Sequence, residues 1–146
     1  MMENFNVNEV KKRKYNKRDL KTINTTAGID EDLEIFIYKV FEHFEKNVGP
    51  RFSEFTSVWH KASFGLIFCG RENFREMFEF TEELFHRVKK YVRSELKGKP
   101  QNTLVRYAGI YLMYSLYFKQ PCRPRVRFRL LREDFDELVS LSELAR

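Results

Sequence analysis

The chain has 146 residues, a formal net charge of +6 and a heavy aromatic load of 15 Phe, 7 Tyr and 1 Trp. That length suits one domain, and a chain of this size buries about two-thirds of its unfolded surface, enough for a core of its own. Two distant cysteines, Cys69 and Cys122, exclude a disulfide-stapled secreted scaffold and read as reduced thiols.

Residues 1–28 hold few apolar side chains and no sustained period, so they are expected to form a disordered basic tail. With no apolar stretch ahead of a small-residue cleavage site, this start is not a secretory signal. Lys11, Lys12, Arg13, Lys14, Lys17 and Arg18 match the short basic pattern of a nuclear localisation signal. They fit equally a flexible arm for phosphate backbones or a solvated charged tail. A first helix follows, capped by Asp30 or a neighbouring acid, with Leu33, Phe36, Ile37, Val40, Phe41, Phe44 and Val48 at helical spacing and Gly49-Pro50 as its stop. Its acids Glu31, Glu34, Glu42 and Glu45 read as solvated surface rather than as a metal or basic-partner site.

Ser53 opens a second helix reaching about Ala62, whose Phe52, Phe55, Val58, Trp59 and Ala62 share a face. Phe64, Leu66, Ile67 and Phe68 then follow almost without a polar break, between the permissive Gly65 and Gly70, and this segment is expected to be buried in a form that periodicity does not specify. Trp59, Phe64 and Phe68 belong to the core by the ordinary preference of large apolar groups. They are also candidates to line a helix-bounded groove that accepts a segment of a partner.

Asn73 to Phe80 reads as a short helical turn, and Thr81, with Glu82 and Glu83 behind it, as the start of a third strong helix bearing Leu84, Phe85, Val88, Val92 and Leu96. Lys97-Gly98-Lys99-Pro100 ends it. Asn102 or Thr103 starts a helix to about Lys119 that is apolar on nearly all sides, the pattern of a central helix enclosed by others. Its apolar stretch, Leu104 to Phe118, contains Arg106, Gly109 and Ser115 and is too short to span a bilayer.

Pro121-Cys122-Arg123-Pro124 cannot continue that helix. Beyond it Arg125, Arg127 and Arg129 alternate with Val126, Phe128 and Leu130, so an extended segment lays the apolar set inward and aims the arginines outward. No partner strand is evident, and extended coil or a lone edge is expected. Arg123, Arg125, Arg127 and Arg129, with Lys119 and Arg71, are the folded candidates for DNA phosphates; carboxylates of an acidic protein partner, or an edge kept soluble by charge, are the other readings. Glu133-Asp134 opens a last helix using Phe135, Leu138, Val139 and, beyond them, Leu141 and Leu144.

The expected fold is therefore all-α: a single compact domain of about five helices over residues 29–146, after the basic tail, with one extended segment before the last helix. His43, His60 and His86 lack partners at metal-ligand or triad spacing, and no phosphate-binding glycine loop occurs. Catalytic residues, metal ligands and cofactors are not expected, nor is a small-molecule substrate.

Two blocks resemble a known family. Arg51-Phe52, Phe55, Trp59, Phe64-Gly65 and Ile67-Phe68-Cys69-Gly70-Arg71 form the first; Tyr111-Leu112-Met113-Tyr114, Leu116-Tyr117, Gln120-Pro121-Cys122 and Phe135-Asp136-Glu137 form the second. In order and spacing they are similar to the amino-terminal domain of the snRNA-activating protein complex subunit 1 family, over most of the chain. The resemblance implies a nuclear, non-enzymatic scaffold in a transcription factor that binds small nuclear RNA promoters and serves RNA polymerases II and III. It implies the third and fourth subunits of that complex as partners, with promoter DNA read mainly by the Myb-type repeats of the fourth and auxiliary phosphate contacts made by this subunit. The tail before Gly28 has no counterpart in the family's motifs, and the family continues past the last helix, so the chain is expected to be truncated at its C-terminus. The alternatives are a direct DNA-binding domain using the basic arm and arginine row, or a membrane-surface trafficking adaptor.

Overall fold

The computed structural model describes residues 28–144 except positions 48 and 72. The basic run of Lys11, Lys12, Arg13, Lys14, Lys17 and Arg18 lies outside the described residues. Five α-helices are present among those described: α1 (Ile29–Lys46), α2 (Phe52–Lys61), α3 (Phe74–Val88), α4 (Thr103–Lys119) and α5 (Arg132–Leu144). Helix α1 starts after Gly28, whose φ of 84° belongs to the left-handed region, and no side chain caps it. The expected acidic cap is not used: the Asp30 carboxylate accepts hydrogen bonds from Arg87 and Lys90 of the neighbouring chain segment instead. The acids of its first turn still suit the positive end of the helix dipole.

Helix α2 opens at Phe52, one residue before the expected start, and buries Phe55, Val58 and Trp59. The segment whose form periodicity left open is a 3-10 turn, Phe64–Phe68, entered through Ser63 in the left-handed region. Its burial is uneven. Phe68 is buried and Phe64 stacks on Phe36 with ring centroids 4.1 Å apart, but Leu66 is exposed. A turn with three residues per revolution and five residues in all has room for one buried side, so the expectation that the whole run is buried fails at Leu66.

Helix α3 is continuous where two pieces were expected. Asn73 is its cap, the side-chain oxygen accepting from Glu76 N at 2.9 Å. Thr81 is buried in mid-helix, its hydroxyl donating to the Met77 carbonyl at 2.8 Å, which removes the need for a terminus there. The helix also ends earlier than expected, passing into a 3-10 turn (Lys89–Val92) and then an antiparallel pair, β1 (Glu95–Leu96) with β2 (Lys99–Pro100), in which Glu95 faces Pro100. Lys97 and Gly98 between them both have positive φ, the geometry of a tight hairpin turn that follows strand twist. Leu96 therefore leaves the helical face on which it was expected. The Gln101 amide donates to the carbonyls of Lys90, Tyr91 and Arg93, satisfying acceptors that the broken helix leaves open.

Helix α4, capped by Asn102 through Leu104 N, is the central element. It packs on α1, α2, α3 and the Lys89–Val92 turn. Gly109 lets that turn approach: a Cβ there would sit 2.9 Å from Tyr91 Cβ and 3.0 Å from its carbonyl carbon. Enclosure is incomplete, however, because Tyr114 and Phe118 are exposed. After α4 the buried Gln120 clasps Val126, its Oε1 accepting from Val126 N at 2.7 Å and its Nε2 donating to Val126 O at 2.8 Å. Val126 is buried and Phe128 stacks on Phe85 at 4.0 Å, so the alternation holds until Leu130, which is exposed. No strand pairs with this segment among the described residues. In α5 the outcome differs more: Leu141 is fully buried and Leu138 partly so, while Phe135, Val139 and Leu144 face outward.

Candidate functional site

The 37 residues from Leu96 to Arg132 contain nine lysines and arginines and no acid, and they supply α4, the clasped segment and the arginine row. Within the row the cations are held differently. Arg123 donates through Nη1 to the carbonyls of Gln120 and Cys122. The Arg125 guanidinium lies over the rings of Phe118 and Tyr117, 5.3 Å and 5.6 Å from their centroids. Arg129 is 3.8 Å from a Glu82 carboxylate oxygen, with its side chain almost wholly in solvent. Arg127 and Lys119 are exposed and make no ion pair with a described residue. Arg71 stands in a different setting, half-buried with its guanidinium 3.7 Å from the Phe80 centroid, the distance of close cation–π packing.

Exposed rings adjoin the row. Phe52 meets Tyr114 edge-on at 5.7 Å, Tyr114 meets Phe118 at 4.8 Å, and Phe118 carries Arg125. Tyr111, behind them, is anchored by donating its hydroxyl to the Pro50 carbonyl at 2.6 Å. Burial, then the neighbouring Tyr107, raises the Tyr111 phenol above its usual value. Among the described residues Tyr114 and Phe118 have no such anchor.

Two adjoining troughs lie along α1, sharing Lys39 and Ala62. One is floored by Ile35, Phe36, Phe64 and Ile67; the other is rimmed by Lys46, Lys61 and Glu42. Of the three residues expected to line such a groove, Phe64 does so, half-exposed. Trp59 and Phe68 are buried in the core, where Trp59 packs edge-on to Phe36 and Phe68 edge-on to Phe80.

The histidines are scattered. His43 shares a short hydrogen bond with Glu54 between α1 and α2, and His60 and His86 are exposed. Cys122 is buried with its sulfur 3.6 Å from the Thr81 hydroxyl, and Cys69 is exposed. Among the described residues no group of three or more His, Cys, Asp or Glu is placed to hold a metal ion, and no helix is long and apolar enough to cross a membrane.

The family model for the small nuclear RNA activating complex (SNAPc), subunit 1, matches residues 29–146, which include all five described helices. The chain belongs to the SNAPc subunit 1 family. It is 30% identical to snRNA-activating protein complex subunit 1 of Homo sapiens over 121 residues, which is 83% of this chain and 30% of the relative's length. The same figures hold for the protein of that name from Macaca fascicularis, and the Mus musculus protein is 28% identical over 117 residues, 80% of this chain and 29% of its own length. The chain thus spans about 30% of the length of the curated relatives it matches.

Within this subunit 1 domain the two sequence blocks become neighbours, since Phe52 and Phe55 of the first meet Tyr111 of the second at 5.3 Å and 5.7 Å. Sequence reasoning passed over two features, one on the surface and one beneath it. Tyr114 and Phe118 were assigned to an enclosed helix, although their spacing of four on an acid-free stretch is a signal of a separate face. Arg106 was noted only as a break in an apolar run. It is buried, donating from Nε to Val92 O at 2.8 Å and from Nη2 to Glu137 Oε2 at 3.1 Å.

Proposed function

We propose that this chain is a non-enzymatic assembly module of a small nuclear RNA promoter-binding transcription factor. In this reading it acts in the nucleus, for RNA polymerases II and III, by organising the third and fourth subunits of the complex and adding auxiliary contacts to promoter DNA phosphates. Membership of the family supports the setting. The observation that carries the assembly role is the outer face of α5: Leu131, just before the helix, then Phe135 and Val139 follow at intervals of four and are all exposed, Leu131 to 66% and Phe135 to 58%. Three large apolar groups on one helical stripe are costly to leave in water and mark a partner face. Phe64 and the trough it lines supply a second place for an apolar segment, and the exposed arginines supply the phosphate contacts.

Co-expression with the third and fourth subunits tests this. A stable ternary particle is expected, and Phe135→Glu is expected to dissolve it while leaving the helical content and thermal midpoint of the isolated chain unchanged. A particle that survives Phe135→Glu, Val139→Glu and, in the trough, Ile67→Glu alike rejects these faces as the interface.

A further inference from the structure

We propose that the aromatic and arginine surface at the end of α4 is a stacking platform for unpaired nucleotides, a single strand rather than a duplex. The proposal rests on the reading of the arginine row as a phosphate contact and adds to it what the bases do. Phe52, Tyr114 and Phe118 form an unbroken series of exposed rings that ends under the Arg125 guanidinium. From there the clasped segment carries Arg127 and Arg129 onward, alternate side chains of an extended chain standing about 7 Å apart. Rings beside a cationic track are how single strands are held without sequence preference, because every base has a face that stacks while the phosphates follow the cations. In a duplex those faces are already stacked on one another, and exposed rings gain little from meeting them.

Charge favours a nucleic acid here. The segment that builds the surface has no acid between Glu95 and Glu133, and among the described residues only Arg129 of the row has an acidic neighbour within 4 Å, Glu82. The rings themselves are not needed to close the core. Tyr114 and Phe118 are about half exposed and lie opposite Leu112, Met113 and Leu116, which α4 turns inward. Their loss is therefore separable from folding.

The test uses the full chain and fluorescence anisotropy with a labelled, mixed-sequence DNA strand of about 12 nucleotides, the duplex of the same sequence, and an abasic strand of equal length. The single strand is expected to bind at least about ten-fold more tightly than the duplex or the abasic strand. Tyr114→Ala and Phe118→Ala should each weaken single-strand binding by about five-fold or more without changing duplex binding. Arg127→Gln should weaken both. Equal affinity for single strand, duplex and abasic strand, insensitive to the two ring substitutions, overturns the platform and leaves the phosphate reading intact. Absence of binding to all three overturns both. Preferential capture of a glutamate-rich peptide with the same dependence on Tyr114 and Phe118 overturns the platform as well, making the surface a protein-docking face.

Discussion

Tyr91 is the residue whose chemistry the fold treats least kindly. It is 2% exposed, and its hydroxyl has no hydrogen-bond partner among the described residues. Burial first, then the charges of Glu34 and Asp30, push its phenol far above the ordinary value of 10.0. The folded state therefore keeps its proton where the unfolded state loses it, so stability is complete below the ordinary phenol value and falls as pH rises beyond it, by about 1.4 kcal/mol per pH unit. Tyr91→Phe removes both the unsatisfied hydroxyl and this titration. It is expected to stabilise the chain by about 1 kcal/mol at neutral pH and to flatten the alkaline limb of urea-unfolding free energies; a variant whose limb parallels the parent would show that another group governs it. Gly109, against the same residue, predicts the opposite sign. A Cβ would press on Tyr91 Cβ and on its backbone, so Gly109→Ala should cost about 1–3 kcal/mol by the same measurement despite alanine's better helix propensity. Neither effect was legible in the sequence, because a tyrosine in an apolar run gives no sign of where its oxygen ends and a helical glycine no sign of what passes over it.

Helices were legible where polar punctuation and apolar period agreed. Asn102 and the proline pair after Lys119 bracket α4 where the residues say they should, and Gly49-Pro50 separates α1 from α2. The region from Asn73 to Pro100 misled for a definite reason: Thr81-Glu82-Glu83 has the form of a helix start, yet the threonine hydroxyl is satisfied within the helix. Beyond Val88, Val92 and Leu96 continue a helical period that the backbone abandons for a 3-10 turn and a hairpin, where Gln101 and Arg106 bond the freed carbonyls. Such tertiary donors carry no local signature. Glu137 joins α5 to this arrangement, accepting from Arg106, from Ser94 N at 3.0 Å and from Ser94 Oγ at 3.0 Å. Removing it strands a cation that is only 5% exposed. Glu137→Ala is expected to cost about 3 kcal/mol, and Arg106→Met combined with it should recover much of that loss, since the pair itself is worth less than an unpaired buried charge costs. Additive losses in the double variant would assign the cost to packing instead.

At the scale of the molecule the charges are segregated. Acids crowd the first turns of α1, while the stretch from Leu96 to Arg132 is purely basic. The outward direction of the arginine row was legible from its alternation with Val126 and Phe128. The aromatic neighbours were not, because they come from α2 and α4 and meet the row only through the fold. Duplex binding by counterion release measures how much of the row acts on phosphates. If Lys119, Arg125, Arg127 and Arg129 each neutralise one phosphate, log affinity against log salt should fall with a slope of about −3.6, about −0.9 per contact. The side chains are not equivalent in this. Arg123 is turned back to two carbonyls, Arg125 rests on rings and Arg129 leans toward Glu82. Arg127 has none of these restraints, so Arg127→Gln should reduce the slope by about 1 and weaken all duplex sequences alike. Removal of residues 1–27 separates the basic run at Lys11 to Arg18 from the folded surface. A slope that vanishes with that removal, and is untouched by Arg127→Gln, would move the phosphate contacts from the folded domain to the preceding segment.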